Sequence, residues 1–544
     1  MRLPKKTTYL LLLTLILVNI LLRFPKTPHA IGVDSFVIKG LADSIAIEGH
    51  AAWMLHPLSY LGLYPLSYPS GGMYLIASFE VLTNDIGETS LLVISILLGV
   101  LGVLISFMMA KEFRDDDVFA LIVAFLFSLS PKFIATTLWE SPTRSAFMTF
   151  APLFLWALMR AHKNPNRRNF MLVITILIFI ATFHRLVVLM MIVIIAYIVT
   201  SIFIVTLRLF KMKFPGLLLR QRPKNHMKKL AIAGFLLLCG VLLVTSGVLD
   251  MYSYGKVASG TDPLNETINL GVSLTRSVGL LLPFFLVGIV VIGHRRNKTI
   301  AEPLFLFVIV GLVPTLLLRL YTGFYVLPFI SIFIGAGLVA LLSIPKKRKY
   351  LSGIAVSALL VASITFSAMV VEYEISEDDY ISNETYSAGT YAREMTLGSI
   401  VANDGLTGSR ISMLTHRAYL PLGGATTVHF GPEQLSFGFV QPDEVEVVQV
   451  ALTELTLESD SPFDVRNVAD AEKEWAALIM DQSYSEAHHY LVKYDVRTAL
   501  EVKNLYESYR AYGKIYEETP FLMSIHGLTY KLYEDSTCMM WTVR

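Results

Sequence analysis

The residues that could do chemistry stand between apolar runs rather than inside them. Asp34 is the first acid of the chain and follows the first apolar run, in VDSFVIKGLADSIAIEGH. Lys39 lies in the same loop, with His56 and Tyr68 further along it. Lys132, Glu140 and Arg144 occur in PKFIATTLWESPTR, His184 and Arg185 interrupt a long apolar stretch, and Arg319 and Tyr321 mark LLLRLYTGFYVLP. A carboxylate beside several bases suits proton removal from an attacking hydroxyl. The bases suit a phosphate, and Arg especially so, because its planar fork grips two oxygens at once. Trp53, Tyr64, Tyr68 and Trp139 supply rings for stacking on a sugar or for anchoring at a membrane interface. Taken singly, each Arg or Lys reads as a side chain snorkelling to headgroups. Taken with Asp34, four separate turns bring polar groups to one membrane face, and ionisable groups there default to function. The combination fits sugar transfer from a lipid phosphate to an acceptor. The plainer alternative for the first loop, residues 24–72, is a structured cap on a helix bundle.

The elements that must position these residues are apolar helices. The 544 residues are 54% hydrophobic and 16% charged, whereas soluble domains run nearer a quarter charged. Runs long enough to cross a hydrocarbon core of about 30 Å recur along the chain. They cover 7–22, 89–110, 117–131, 145–160, 170–183, 186–207, 230–250, 277–293, 299–318, 324–344 and 350–371, which predicts about 11 spans. The basic start MRLPKK ahead of the first run reads as an uncleaved signal anchor.

Charge orients the spans. With the N-terminus cytoplasmic, the inner loops hold 24 Lys and Arg and the outer loops nine, the asymmetry of the positive-inside rule. From Glu372 to Arg544 there are 28 acids and 12 bases, against 15 acids and 33 bases before it. The sequence therefore divides into a transmembrane region, 1–371, and an extracytoplasmic tail, 372–544. Sequons at Asn265 and Asn383 fall outside in this topology and become glycosylation candidates, while the one at Asn297 falls inside. In the tail, 471–482 and 499–516 have helical periodicity, and 411–416, 489–496 and 528–535 read as strands. A small α/β domain is expected. Cys239 and Cys538 form no disulfide framework, and there is no GxGxxG, P-loop, CxxC or HExxH in the tail. No nucleic-acid partner is expected.

The layout of one span, then the loop with its lone early Asp, then YPLSYPSGGMYLIASF leading into the next span, resembles the GT-C superfamily. These are integral membrane glycosyltransferases that use polyprenyl- or dolichyl-phosphate-linked sugars, among them protein mannosyltransferases, aminoarabinose transferases and oligosaccharyltransferases. ATFHRLVVLM is similar to a His-bearing span junction of the superfamily, with His184-Arg185 where two His are common. LRLYTGFYVLPFISIFIGAGL resembles its late Arg-aromatic-Pro span, and LTYKLYEDSTCMMWTV the closing strands of archaeal members. The resemblance implies that Asp34 is a catalytic base or metal ligand and that Arg319 meets the lipid phosphate. Glu140 falls where oligosaccharyltransferases carry a second acidic motif, although WES lacks the paired acids. The tail lacks WWDxG, which argues against sequon recognition. An inverting, hexosyltransferase-type enzyme that moves one monosaccharide is implied. Its donor is a polyprenyl-phosphate sugar in the bilayer and its acceptor a glycan, glycolipid or protein. A divalent metal at Asp34 stays open, and no other cofactor is expected. Two other readings remain: a lipid-linked-glycan transporter or flippase, which needs midplane charges and often repeats, and a non-catalytic cell-surface assembly protein.

Overall fold

The computed structural model describes residues 2–49, 53–55, 63–64, 69–84, 87–213, 263–295, 298–313, 322–342, 349–375, 380–395, 399–402, 410, 414–415, 419–421, 439–440, 496–502, 529–534 and 538–543. They form two compact units. The first comprises Met1–Arg23, Ile96–Thr137 and Arg144–Glu374; the second comprises Phe24–Ser95, Leu138–Thr143 and Ile375–Arg544.

The first unit is helical. Its elements are α1 (Lys5–Leu22), most of α4 (Thr89–Phe113), α5 (Asp117–Ser128), α6 (Pro131–Thr136), most of α7 (Pro142–Lys163), α8 (Arg167–Ala181) and α9 (Met190–Lys213). After 262 come α10 (Pro263–Val278), α11 (Phe284–His294), α12 (Ala301–Leu312), α13 (Thr322–Leu342) and α14 (Lys349–Glu374). Among the described residues five helices are long and apolar enough to cross a membrane: Lys5–Leu22, Thr89–Phe113, Leu186–Thr206, Gly323–Leu342 and Tyr350–Glu372. Asp117–Ser128, Phe284–His294 and Ala301–Leu312 are shorter apolar helices. The expected run 230–250 lies outside the described residues.

The core of this unit is α13, which is apolar and buried almost all round, as a central helix must be. Its glycines set the packing distances. A Cβ on Gly335 would meet Val123 of α5 at 2.7 Å, and one on Gly337 would meet the Phe284 carbonyl at 2.7 Å. Across the same contact, a Cβ on Gly288 of α11 would overlap the Phe333 carbonyl oxygen. Lipid supplies no hydrophobic force between helices, so close backbone approach at small residues is what holds such a pair. Phe305 of α12 makes edge contacts with Phe113 of α4 and Phe329 of α13 at 5.0 and 5.4 Å.

A buried guanidinium ends α1. Arg23 Nε donates to Thr137 Oγ1 at 2.8 Å and Nη1 to Asn19 Oδ1 at 2.8 Å, with Phe133 below it at 5.2 Å. Gly99 makes room, since a Cβ there would overlap Arg23 Nε. Elsewhere in the unit, Arg2 pairs with Asp115 at 2.5 Å, Lys111 with Asp117 at 2.9 Å and Lys163 with Glu112 at 2.6 Å. Exposed pairs of this kind add little stability, but they draw the chain start and the ends of α4, α5 and α7 to one end of the bundle.

The second unit holds α2 (Val33–Glu48), β1 (Trp53–Leu55), β2 (Leu63–Tyr64) and α3 (Gly71–Thr83). From the tail it takes α15 (Asn383–Met395), β3 (Ser399–Ala402), β4 (Tyr419–Pro421), β5 (Phe439–Val440), β6 (Val496–Val502), β7 (Thr529–Glu534) and β8 (Cys538–Val543). Five strands make a mixed sheet in the order β4-β3-β6-β8-β7, with β3 parallel to both neighbours and β8 antiparallel to both of its own. A second sheet, β2-β1-β5, pairs tail strand β5 with β1 of the first loop. An isolated bridge, Ile31 to Tyr380, ties them again.

The expected strand 528–535 is β7. The helical reading of 499–516 is corrected at its start: Ala499–Val502 belong to β6, because Thr498, Ala499 and Leu500 pair with both β3 and β8, and a central strand position overrides local periodicity. Leu414 and Thr415, inside the expected strand 411–416, are helical. The helix expected at 471–482 lies outside the described residues.

Gly288→Ala is expected to destabilise the first unit by about 3 kcal/mol or more, since a backbone oxygen cannot move aside as a side chain can. Gly353→Ala, with nothing within 4 Å of the new Cβ, is the matched control and is expected to be neutral. Melting followed by fluorescence-detected gel filtration distinguishes them; equal behaviour of the two variants contradicts the close crossing.

Candidate functional site

In the second unit, three segments converge on the N-terminus of α2. Gly32 precedes the helix at φ +89°, a backbone region that L side chains rarely adopt. It has a second reason to be glycine: a Cβ there would lie 3.3 Å from Glu140 Cγ and 3.6 Å from Glu140 Oε1. Glu140 thus rests its carboxylate against the residue that opens α2. Asp34 is the second residue of that helix. Exposed peptide N–H groups at a helix start carry partial positive charge and favour carboxylates.

The loop that delivers Glu140 is pinned on both sides. Ser141 N–H donates to Ser35 Oγ at 2.8 Å, and Ser95 Oγ donates to the Glu140 carbonyl at 3.1 Å. Ile31 N–H donates to the Trp139 carbonyl at 3.0 Å. Trp139 itself takes the left-handed conformation at φ +58°, a strained choice for a bulky residue. The site is therefore an acid-bearing turn laid against an acid-bearing helix start. The Glu140 carboxylate there can accept a proton or offer oxygens to a hard cation. Among the described residues no three His, Cys, Asp or Glu side chains converge as a ready-made metal centre.

One turn further along, α2 is braced against α3. Lys39 is 2% exposed, and its ammonium pairs with Asp43 on its own helix and with Glu80 Oε1 at 2.8 Å. Ser90 Oγ donates to the same Glu80 oxygen at 2.9 Å. Burial, and then the neighbouring Asp43 charge, push the Glu80 carboxyl up to about 7. Burial also raises Asp43, against the pull of Lys39. Burial by itself would lower Lys39, but the charges of Asp43 and Glu80 outweigh it and hold the ammonium above its ordinary value. The phosphate-binding expectation for Lys39 gains no support from this enclosure, which is that of a structural anchor.

The other expected residues are placed as follows. Arg144 lies in the first turn of α7. His184 Nδ1 accepts from Leu186 N–H at 3.1 Å and so caps the short 3₁₀ helix Arg185–Leu189, of which Arg185 is the first residue. Asn265 lies in the first turn of α10. Asn383 opens α15, where Thr385 of its sequon is buried and its N–H donates to Ser382 Oγ at 3.2 Å. His56, Tyr68, Arg319 and Tyr321 lie outside the described residues. Sequence reasoning passed over Asp43, Glu80 and Glu88. The i,i+4 spacing of Lys39 and Asp43 was a usable signal, and so was an acid within the apolar stretch MYLIASFEVL.

A family model described as dolichyl-phosphate-mannose-protein mannosyltransferase matches residues 67–219. The archaeal oligosaccharyltransferase AglB from Archaeoglobus fulgidus, in complex with an inhibitory peptide and a dolichol-phosphate, superposes with a TM-score of 0.54 at 13% identity, over 92% of this chain and 69% of that one. ArnT from Cupriavidus metallidurans bound to undecaprenyl phosphate gives 0.51 at 11% identity, over 99% and 98%. The arabinofuranosyltransferase AftD from Mycobacteria gives 0.50 at 14% identity, over 100% and 42%. No curated protein matches. At these identities the likeness is one of fold.

Two outcomes test this geometry. Raising pH from 5 to 8 ionises Glu80 at a cost in the folded state, because its folded pKa lies above the unfolded value. Stability of the second unit should therefore fall over that interval, and Glu80→Gln should flatten the fall. Lys39→Met leaves two buried carboxylates without their cation and should cost about 3–5 kcal/mol. Thermal melts at both pH values in detergent check both; an identical pH profile for wild type and Glu80→Gln contradicts the arrangement.

Proposed function

We propose that this chain, which has the fold of the GT-C membrane glycosyltransferases, moves a monosaccharide from a polyprenyl-phosphate-linked donor to an acceptor on the extracytoplasmic side. The observation that carries this reading is the Glu140 carboxylate against Gly32, at the start of the helix whose second residue is Asp34. Asp34 takes the proton of the acceptor hydroxyl. The freed oxygen forms a bond to the anomeric carbon of the donor sugar. The bond from that carbon to the phosphate oxygen breaks, and the lipid phosphate leaves with the electron pair. Arg319, three positions before α13 in sequence, stabilises the phosphate charge as it develops, with Arg185 as a second cation. A single displacement of this kind inverts the anomeric centre.

The donor class draws support from the dolichol-phosphate and undecaprenyl phosphate named with AglB and ArnT. The topology of about eleven spans, cytoplasmic N-terminus and extracytoplasmic α/β tail is supported by the 24-to-nine split of basic residues. The gathering of Arg2, Lys111 and Lys163 at one bundle end supports it too. Asp34 and Glu140 are an all-oxygen donor pair, which suits Mg²⁺ or Mn²⁺ better than zinc. Such an ion would supply charge neutralisation at the leaving phosphate.

Surface-glycan mass spectrometry in a deletion strain tests the reading. Deletion should shorten a glycan by one sugar, and wild type should restore it. Asp34→Asn and Glu140→Gln, at matched expression, should leave turnover reduced about 100-fold or more. Full restoration by Asp34→Asn removes Asp34 as base and with it this mechanism. In purified protein, chelation by EDTA should lower the rate and Mn²⁺ or Mg²⁺ should restore it; a rate indifferent to EDTA rules out the ion.

A further inference from the structure

Glu88 makes contacts that the reaction just described does not use. It stands in the turn before α4, and its side chain is 10% exposed. One carboxylate oxygen, Oε2, accepts from Ala30 N–H at 2.7 Å, and Oε1 lies 3.2 Å from His29 Nδ1. Its backbone carbonyl accepts from the Trp139 indole N–H at 2.9 Å. The Trp139 carbonyl in turn accepts from Ile31 N–H at 3.0 Å. These bonds close a ring: Glu88 to Ala30, Ile31 to Trp139, Trp139 back to Glu88. One side of the ring is the segment that runs on through Gly32 to Asp34. The other is the residue that precedes Glu140. The tail reaches the same ring, because the His29 imidazole stacks on Tyr386 of α15 with centroids 4.1 Å apart and planes 13° apart, and Tyr380 bridges Ile31.

We propose that Glu88 is a positioning residue, which clips the Asp34 and Glu140 segments into register, and that the tail closes the clip by stacking Tyr386 on His29. This rests on the reading of Asp34 and Glu140 as the reacting acids. The strain at Trp139 is the physical reason a clip is needed. A left-handed Trp is strained and persists only where surrounding bonds over-determine it. Relaxing it would swing the next residue, Glu140, away from Gly32. A displacement of about 1 Å at a reacting group costs up to about 100-fold in rate without weakening substrate binding. Through the clip, the tail completes the acid site from the far end of the sequence.

The test uses the full-length protein in nanodiscs, with Glu88→Gln, Glu88→Leu, Tyr386→Phe and Tyr386→Leu. Gln retains an oxygen for Ala30 N–H and Phe retains the stack, whereas Leu retains neither. With a polyprenyl-phosphate sugar as donor, Glu88→Leu should lower kcat about 30- to 100-fold with donor KM held within about twofold. Glu88→Gln should keep most of the rate, and Tyr386→Leu should lose more of it than Tyr386→Phe. Hydrogen exchange supplies a readout independent of activity: the peptides around 27–35 and 136–142 should exchange faster together in Glu88→Leu and not in Glu88→Gln. The clip is overturned if Glu88→Leu leaves exchange in 136–142 unchanged. It is also overturned if kcat holds in that variant, or if Gln does no better than Leu. Absence of transfer by wild type sinks the transferase reading instead, and the exchange data then decide the clip alone.

Discussion

The ammonium of Lys39 is enclosed between Asp43 on its own helix and Glu80 on α3, and the geometry of the acid site depends on that contact. α2 carries Asp34 at one end, is tied at its first turn through Ser35, and is braced against α3 by this group. Two carboxylates share one cation, so the group is never fully neutralised while both are ionised. That is why burial and mutual repulsion push Glu80 up to about 7. An arrangement of this type is retained for position rather than for net stability, since an apolar trio of equal volume could pack as well. It fixes which face of α2 meets α3, and therefore where the helix start points.

The two units are held by different forces. In the first, helices meet through glycines whose missing side chains let backbones touch, as at Gly288 and Gly337. This is how a bundle surrounded by lipid coheres, where packing and not the hydrophobic effect holds helices together. In the second, the ties are ion pairs, capped turns and short strands: Lys39 with Glu80, Ser141 with Ser35, β1 with β5. The second unit gathers the first loop, the turn 138–143 and the tail into one body, so residues more than two hundred positions apart in sequence share a sheet, as Trp53 and Val440 do.

Glycine and strain mark the site from the structural side. Gly32 sits at positive φ beneath Glu140, and Trp139 sits at positive φ one residue before it. The first is within glycine's ordinary range, and the second is not a local preference of tryptophan. Gly32 adopts its conformation without strain, whereas Trp139 persists in its own because bonds from distant segments hold it.

The apolar runs, the basic bias of alternate loops and the first acid of the chain are properties of composition and spacing, and they alone determined the membrane class and the choice of Asp34. The last strand but one, 529–534, was legible because its alternation is local. What tertiary structure decided is pairing. Glu140 looked isolated in WES, yet its partner is the start of a helix a hundred residues earlier, reached through a fold that no window of sequence contains. Lys39 looked like a free base for phosphate, but Glu80 lies across a helix interface and claims it. Ala499–Val502 has helical spacing, but two flanking strands offer it backbone hydrogen bonds on both edges. Spacing along the chain reports which face a residue lies on, while which residues meet across faces depends on how the segments are brought together in space.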